Sequence, residues 1–492
     1  MRGRRVGSAN GFHRSTAVST LAAYAAAAIA VAGVSVLLPP VQTFGISLLL
    51  LSILPALLLG ICASHWQLPY VTAVWAFMPE VRRVYDWLLG SYSQIPLLSI
   101  APLLATLTLA VPLLRRERTQ QLPKLVRIAL IIFLAACAYA LAVGVKTNVT
   151  AAMFDLAGYT VPLLVVPYAL LSGAGERERN VWIRAYATIA SIVAVYGIAQ
   201  YLLAPAWDVF WMQHVEMNSI GQPEPLHIRV FATLNSPGPA GGFLAGALVP
   251  MLLEKRWRGA FGWIGTAAVA LCLALTMVRA SWIVCAAAVF FYAATDAPGK
   301  RWRTLTRLGV CAVMLLGIVS VMPGGDALLG RFQSLGSPSE DQSFNDRVAF
   351  TLTLVPYMAA HPFGSGLGSV GIGTKLDNDG SLGAFGDFDN GFGALAVTFG
   401  PLFFLAFAGS VWLLGRAALN RLRAIGAEDR GARLARAALL GAGIQLFFSN
   451  AYVGLNGYLL WLSVGAGLAG AWHARDEEFV AVSTQGKDGN AP

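Results

Sequence analysis

Long apolar runs, separated by short polar and mostly basic breaks, recur along almost the whole chain. Fourteen segments follow from this pattern, near 18–38, 41–63, 68–79, 96–114, 126–145, 157–172, 182–203, 236–253, 260–278, 281–295, 305–322, 393–414, 434–449 and 457–472. A helix crosses the hydrocarbon core of a bilayer with about 20 apolar residues. By that measure 68–79 is too short to span upright, and 157–172 and 281–295 are marginal. The pattern predicts an all-α, polytopic integral membrane protein of twelve to fourteen spanning helices. It forms one membrane domain over 1–492, interrupted by a large hydrophilic loop at 323–392.

Composition agrees. The 492 residues are 57% hydrophobic and only 12% charged, where a soluble chain carries roughly a quarter. The N-terminal MRGRRVGSANGFHR is basic and leads into 18–38, which is long for a signal-peptide core. The following PPVQT lacks a small-residue cleavage pattern, so this run reads as a first spanning helix. The five cysteines all lie inside apolar runs and read as buried thiols, with no metal or disulfide spacing.

The net charge of +10 is explained by basic cytoplasmic loops and needs no nucleic acid partner. With the N-terminus in the cytoplasm and each segment crossing once, 27 of the 35 Lys and Arg residues fall on the cytoplasmic side. The opposite face keeps Arg82, Arg83, Lys146, Arg229, Arg279, Arg331, Arg347 and Lys375. This asymmetry predicts that both termini are cytoplasmic and that loop 323–392 is extracytoplasmic. Within that loop, RVAFTLTLVPYMAAH (347–361) has the pattern of a helix lying along the membrane surface. A second outer loop, 204–235, carries Trp207 and Trp211, residues suited to the interface.

Four stretches on the cation-poor face each place one charge near a helix end. They are RVFATLNSPGPAGGFL (229–244), TMVRASW (276–282), FNDRVAF with HPFGSGLGSVG (344–371), and DFDNGFGALAVTFGPLFF (387–404). Arg229, Arg279 and Arg347 read either as interfacial anchors or as phosphate ligands, since a guanidinium binds phosphate bidentately and stays charged. Asp389 reads either as an N-cap shared with Asn390 or Asp387, or as a base that takes a proton from an acceptor hydroxyl. His361, before Pro362, is an alternative base or the end of the surface helix. Gly366, Gly368 and Gly371 match GxGxxG but follow no predicted strand, so they read as a tight loop against the membrane. Asp377, Asp379, Asp387 and Asp389 fit no calcium-loop spacing, and neither a metal nor another cofactor is expected.

At these stretches the chain resembles the O-antigen ligase/polymerase family of bacterial membrane glycosyltransferases, which share the type-C glycosyltransferase membrane architecture. The matching features are Arg229 with Thr233, Asn235 and Pro237; the hairpin Val278-Arg279-Ala280-Ser281; Arg347 followed by His361-Pro362 and the Gly364, Gly366, Gly368 turn; and Asp389-Asn390-Gly391 before a helix carrying Gly400. LPYVTAVWAFMPEVRRVYDW (68–87) looks like the short hydrophobic segment and basic turn near the family's N-terminus. Asp389 stands where ligases that load lipid A carry His, and Asp-Asn-Gly looks more like members linked to polymerisation.

The resemblance implies an undecaprenyl-diphosphate-linked oligosaccharide donor and a glycan acceptor. The site would face outward from the cytoplasmic membrane. Arg279 and Asp389 would be catalytic; Arg229, Arg347, Asn390 and His361 would bind substrate. The family setting adds a polysaccharide flippase and a chain-length regulator as partners. Two other classes stay open on the residues alone. A transporter would show ionisable groups deep in its helices or two repeated halves. A non-catalytic assembly protein would need no charged cluster at one cleft.

Overall fold

The computed structural model describes residues 40–114, 122–215, 217–296, 299–306, 354–383, 385–386, 390–426 and 428–469, with the single positions 309, 317 and 352. The segment 18–38 lies outside the described residues, as does almost all of 305–322. Among the described residues the chain is helical, and its only β feature is an isolated bridge between Gly221 and Ile228.

The helices are α1 (Pro40–Ile61), α2 (Gln67–Leu89), α3 (Ala101–Leu107), α4 (Ala110–Leu114), α5 (Lys124–Gly144), α6 (Val149–Leu163), α7 (Val165–Leu171), α8 (Glu176–Leu203), α9 (Ala206–His214), α10 (Pro237–Leu253), α11 (Gly262–Leu275), α12 (Arg279–Ala293), α13 (Gly391–Ile425), α14 (Arg430–Gln445) and α15 (Gly454–Leu468). Among the described residues, six helical stretches are long and apolar enough to cross a membrane: Phe44–Ile61, Leu97–Leu114, Lys124–Gly144, Val149–Leu171, Glu176–Leu203 and Gly391–Ile425. Pro237–Leu253, Gly262–Leu275 and Arg279–Ala293 are shorter apolar helices. The protein is an all-α polytopic membrane protein.

Helices in lipid gain little from the hydrophobic effect and associate through close packing of small residues. That is visible where α14 meets α15: a methyl built on Gly467 would lie 2.6 Å from the Gly431 carbonyl oxygen. Aromatic rings fill the wider gaps, as where Phe407 meets Phe133, Phe399 and Tyr452 at centroid distances of 4.7, 5.0 and 5.1 Å. Cys137, Cys272 and Cys285 are buried as expected, whereas Cys62 is exposed at the end of α1; Cys311 lies outside the described residues.

Two elements differ from the sequence pattern. The apolar run at 68–79 is the first half of a 23-residue helix, α2, which continues through Glu80, Arg82, Arg83 and Asp86. Its charges pair with one another and with a neighbour, so a charged run that reads as a turn is accommodated inside a helix. The stretch 204–235, read as a loop, contains α9 and a 3-10 turn at Asn218–Ile220.

The basic loops gather at one end of the bundle. Arg256 pairs with Glu176, Arg430 with Glu254 at 3.1 Å, Arg433 with Asp296 at 2.6 Å and Arg421 with Asp429 at 2.5 Å. Loops predicted to share a membrane face are therefore in contact. The described parts of the four stretches singled out by their charges belong to the other end.

Candidate functional site

The turn between α11 and α12 is where two of those stretches meet. Met277 adopts a left-handed conformation, φ 55°, which costs a non-glycine residue about 1 kcal/mol or more. The turn is tied by Thr276, whose hydroxyl donates to the Leu273 carbonyl at 2.7 Å and accepts from the Val278 N–H at 3.3 Å. Val278 is extended, and Arg279 is the first residue of α12. Segment 229–230 docks against this turn. The Val230 N–H donates to the Leu275 carbonyl at 3.1 Å, and Nη2 of Arg229 donates to the Met277 carbonyl at 3.3 Å. Arg229 and Arg279 thus belong to one small structure, although 50 residues separate them.

The segment from Arg229 to α10 is held from behind by buried polar groups. Gln200 of α8 accepts both the Phe231 and Ala232 N–H groups on Oε1, at 3.0 and 2.9 Å. Arg83 of α2 donates to the carbonyls of Ala232, at 2.5 Å, and Leu234. It also pairs with Asp208 of α9 at 2.9 Å and with Glu80. The Thr233 hydroxyl donates to the Ala76 carbonyl at 2.6 Å. Sequence reading left Arg82 and Arg83 as outer-face turn cations. Both are instead buried: Arg83 is fully enclosed, and Arg82 pairs with Asp86 at 3.3 Å and lies over the Trp211 ring. Glu80, Gln200 and Asp208 were not singled out; the only signal was their polarity within otherwise apolar windows.

Several helices begin at this end. A methyl built on Gly241 in the first turn of α10 would lie 2.5 Å from Oγ of Ser281 in the first turn of α12. One on Gly242 would lie 3.2 Å from Oδ1 of Asn456 in the first turn of α15. The N-cap residues of these three helices, Ser236, Val278 and Val453, make no side-chain capping bond. Helix N-termini carry partial positive charge and unsatisfied N–H groups, which suit an anion. Between α10, α12, α14 and α15 runs a largely apolar cleft that is open to solvent. Gly242, Ser281, Gln445 and Asn456 line it near these helix starts; Val249, Ala288, Leu434 and Ser463 line it deeper.

The described part of the large loop docks beside this cleft, on helices that do not line it. Ser365 and Gly366 donate to the carbonyls of Val397 and Thr398 in α13, at 2.8 and 3.0 Å, and Leu367 donates to Ala140 in α5 at 3.0 Å. Gly366 has φ 82°, and a methyl there would lie 2.2 Å from the Gly144 nitrogen. Gly366 and Gly368 therefore permit close approach to protein backbone, where a loop against the membrane was expected. Opposite them, α13 kinks at Gly400 (φ 71°, ψ 158°), followed by Pro401. Asp155 of α6, buried and not singled out from the sequence, accepts the Gly368 N–H at 2.8 Å.

His361 closes the helical stretch 354–360: its N–H donates to the Tyr357 carbonyl at 3.0 Å, and its exposed ring stacks on Tyr357 at 4.2 Å. Asn390 is the N-cap of α13, its side chain accepting the Gly393 N–H at 3.0 Å. Arg347, Asp387 and Asp389 lie outside the described residues. Arg229 and Arg279 are thus brought together, while His361 and Asn390 sit on the neighbouring loop and α13.

Residues 264–408 match the family model described as O-antigen ligase, which bears out the resemblance carried by the motifs. The match spans α11, α12, the large loop and the first part of α13. Comparison with curated proteins and with solved structures gives no match.

Proposed function

We propose that this protein is a glycosyltransferase of the bacterial cytoplasmic membrane that uses an undecaprenyl-diphosphate-linked oligosaccharide as donor and extends a glycan at the outer face. The family match supports glycan chemistry. The observation that carries the donor class is the docking of the Arg229 segment on the turn that leads into Arg279 and Ser281, Ser281 lining the cleft near the uncapped N-termini of α10, α12 and α15. Guanidinium groups and helix N-termini together favour a diphosphate. That end also holds few of the chain's cations, so these are not part of a general basic surface.

In this reading the bond between the donor's anomeric carbon and the diphosphate oxygen breaks, and the diphosphate leaves on its lipid. Arg279 and Arg229 offset the charge that develops on it, with the α12 N-terminus adding dipole. The acceptor hydroxyl attacks the anomeric carbon with inversion and passes its proton to Asp389. Arg347 anchors the donor or orders the large loop, and His361 and Asn390 contact the glycan. The acceptor is the growing lipid-linked chain, because Asp389-Asn390-Gly391 looks more like polymerising members than the His of lipid A ligases.

The test uses purified protein in lipid vesicles with a synthetic undecaprenyl-diphosphate oligosaccharide repeat, the products being separated on a gel. A ladder of lengthened lipid-linked chains, lost in Arg279→Gln, is the expected result. A ladder that survives both Arg279→Gln and Arg229→Gln would remove these residues from the site. Transfer only on addition of a separate acceptor would make the protein a ligase.

A further inference from the structure

Behind the Arg229 segment, five side chains from three helices form a cluster whose protons can be counted: Arg83, Gln200 and Asp208 are buried, Glu80 and Tyr196 half-buried. Arg83 and Glu80 come from α2, Tyr196 and Gln200 from α8, and Asp208 from α9. Gln200 accepts two backbone N–H groups on Oε1, so its Nε2 must be the group that donates to Oδ2 of Asp208 at 2.8 Å. Oδ1 of Asp208 faces Nε of Arg83 at 2.9 Å. Asp208 is fully buried. Glu80 also pairs with Arg83, through Oε2.

The Tyr196 hydroxyl sits among three partners. The Trp207 indole N–H, which can only donate, lies 2.7 Å away; Oε1 of Glu80 lies at 2.6 Å and Oδ2 of Asp208 at 2.8 Å. A phenol has one proton to give. It can satisfy one carboxylate, and the other oxygen then meets the phenol oxygen at hydrogen-bond distance with no proton between them. Charge leads to the same place: two carboxylates face one guanidinium, and a net buried charge is costly. The other charged groups of α2 close by, Arg82 and Asp86, pair with each other.

We infer that Glu80 and Asp208 share one proton through Tyr196, with Glu80 as the neutral acid donating to Tyr196 and Tyr196 donating to Asp208. The neutralised cluster lets Arg83 and Gln200 grip the backbone at Phe231, Ala232 and Leu234. It thereby positions Arg229 and the start of α10. Loss of the proton at alkaline pH leaves a net negative charge behind the segment and loosens that grip. The link to transfer rests on the function proposed above, whereas the proton itself follows from the hydrogen-bond geometry alone.

Infrared spectroscopy of the full-length protein in vesicles tests the proton without any activity. At neutral pH the wild-type minus Glu80→Gln difference is expected to contain the carbonyl stretch of a protonated carboxylic acid, which fades as the pH rises. Tyr196→Phe, a second variant, is expected to shift that band by removing its acceptor. A difference spectrum without an acid band overturns the inference. In the transfer assay Glu80→Leu is expected to lose about tenfold and Glu80→Gln to recover to within about twofold of wild type, because small misplacements of a binding group carry large rate penalties. Glu80→Gln should also lose the alkaline decline of the wild type. A Gln variant no better than Leu overturns the positioning role. Unimpaired transfer by Arg279→Gln would instead remove the functional reading and leave the infrared result to judge the proton.

Discussion

Nη2 of Arg229 reaches the carbonyl oxygen of Met277 at 3.3 Å, two residues before Arg279 opens α12. This contact joins the Arg229 segment to the Arg279 turn as one unit and makes their effects interdependent.

The two arginines should therefore be coupled. Arg229→Gln and Arg279→Gln are each expected to lower transfer by about 100- to 1000-fold, the range for removing one donor to a developing negative charge. The double variant should lose less than the product of the two, since sites that share a structure are non-additive. Multiplicative losses in a double-mutant cycle would show that they act separately.

Gly366 should not tolerate a methyl group. Gly366→Ala meets the Gly144 backbone at 2.2 Å with φ 82°, and a loss of about 2 kcal/mol or more in stability is expected from overpacking and strain together. Gly371→Ala has a similar φ of 77° and open space, so it should lose only the conformational part, about 1 kcal/mol. Thermal unfolding of both variants in the same detergent reads the difference.

Asn390 combines an observed cap with a proposed glycan contact, and the two can be separated. Asn390→Ala is expected to destabilise by about 1 kcal/mol through loss of the Gly393 bond, and Asn390→Asp should keep the cap. If Asn390→Asp unfolds like wild type yet transfers poorly, the amide contacts substrate; full transfer by Asn390→Asp would confine the residue to capping.

The charge asymmetry predicts the sidedness of the loops. A cysteine at the exposed Ser381 should react with an impermeant maleimide in spheroplasts whose cytoplasmic membrane is intact, and one at the exposed Glu428 only after that membrane is opened. The reverse pattern would invert the proposed orientation.

The apolar period alone carried the all-helical membrane class and most helix positions, because a spanning helix must satisfy its own backbone and show its composition to lipid. Segments 126–145 and 236–253 are within two residues of α5 and α10. The charge asymmetry and the motif order likewise led to Arg229 and Arg279 from sequence, since each residue sits beside a recognisable helix start. Tertiary structure alone decided what those residues rest on. Glu80, Arg83, Gln200 and Asp208 look unfavourable one at a time in apolar windows. Only the packing of α2, α8 and α9 brings them within hydrogen-bond reach of one another and of the 231–234 backbone. The same holds for Gly366 and Gly400: the sequence marks a tight turn at the first and a helix glycine at the second, but the backbones that leave no room for a side chain come from α5 and from the loop itself. Periodicity is a local property of the chain; pairing buried charge and excluding a Cβ both depend on distant segments arriving at the same place.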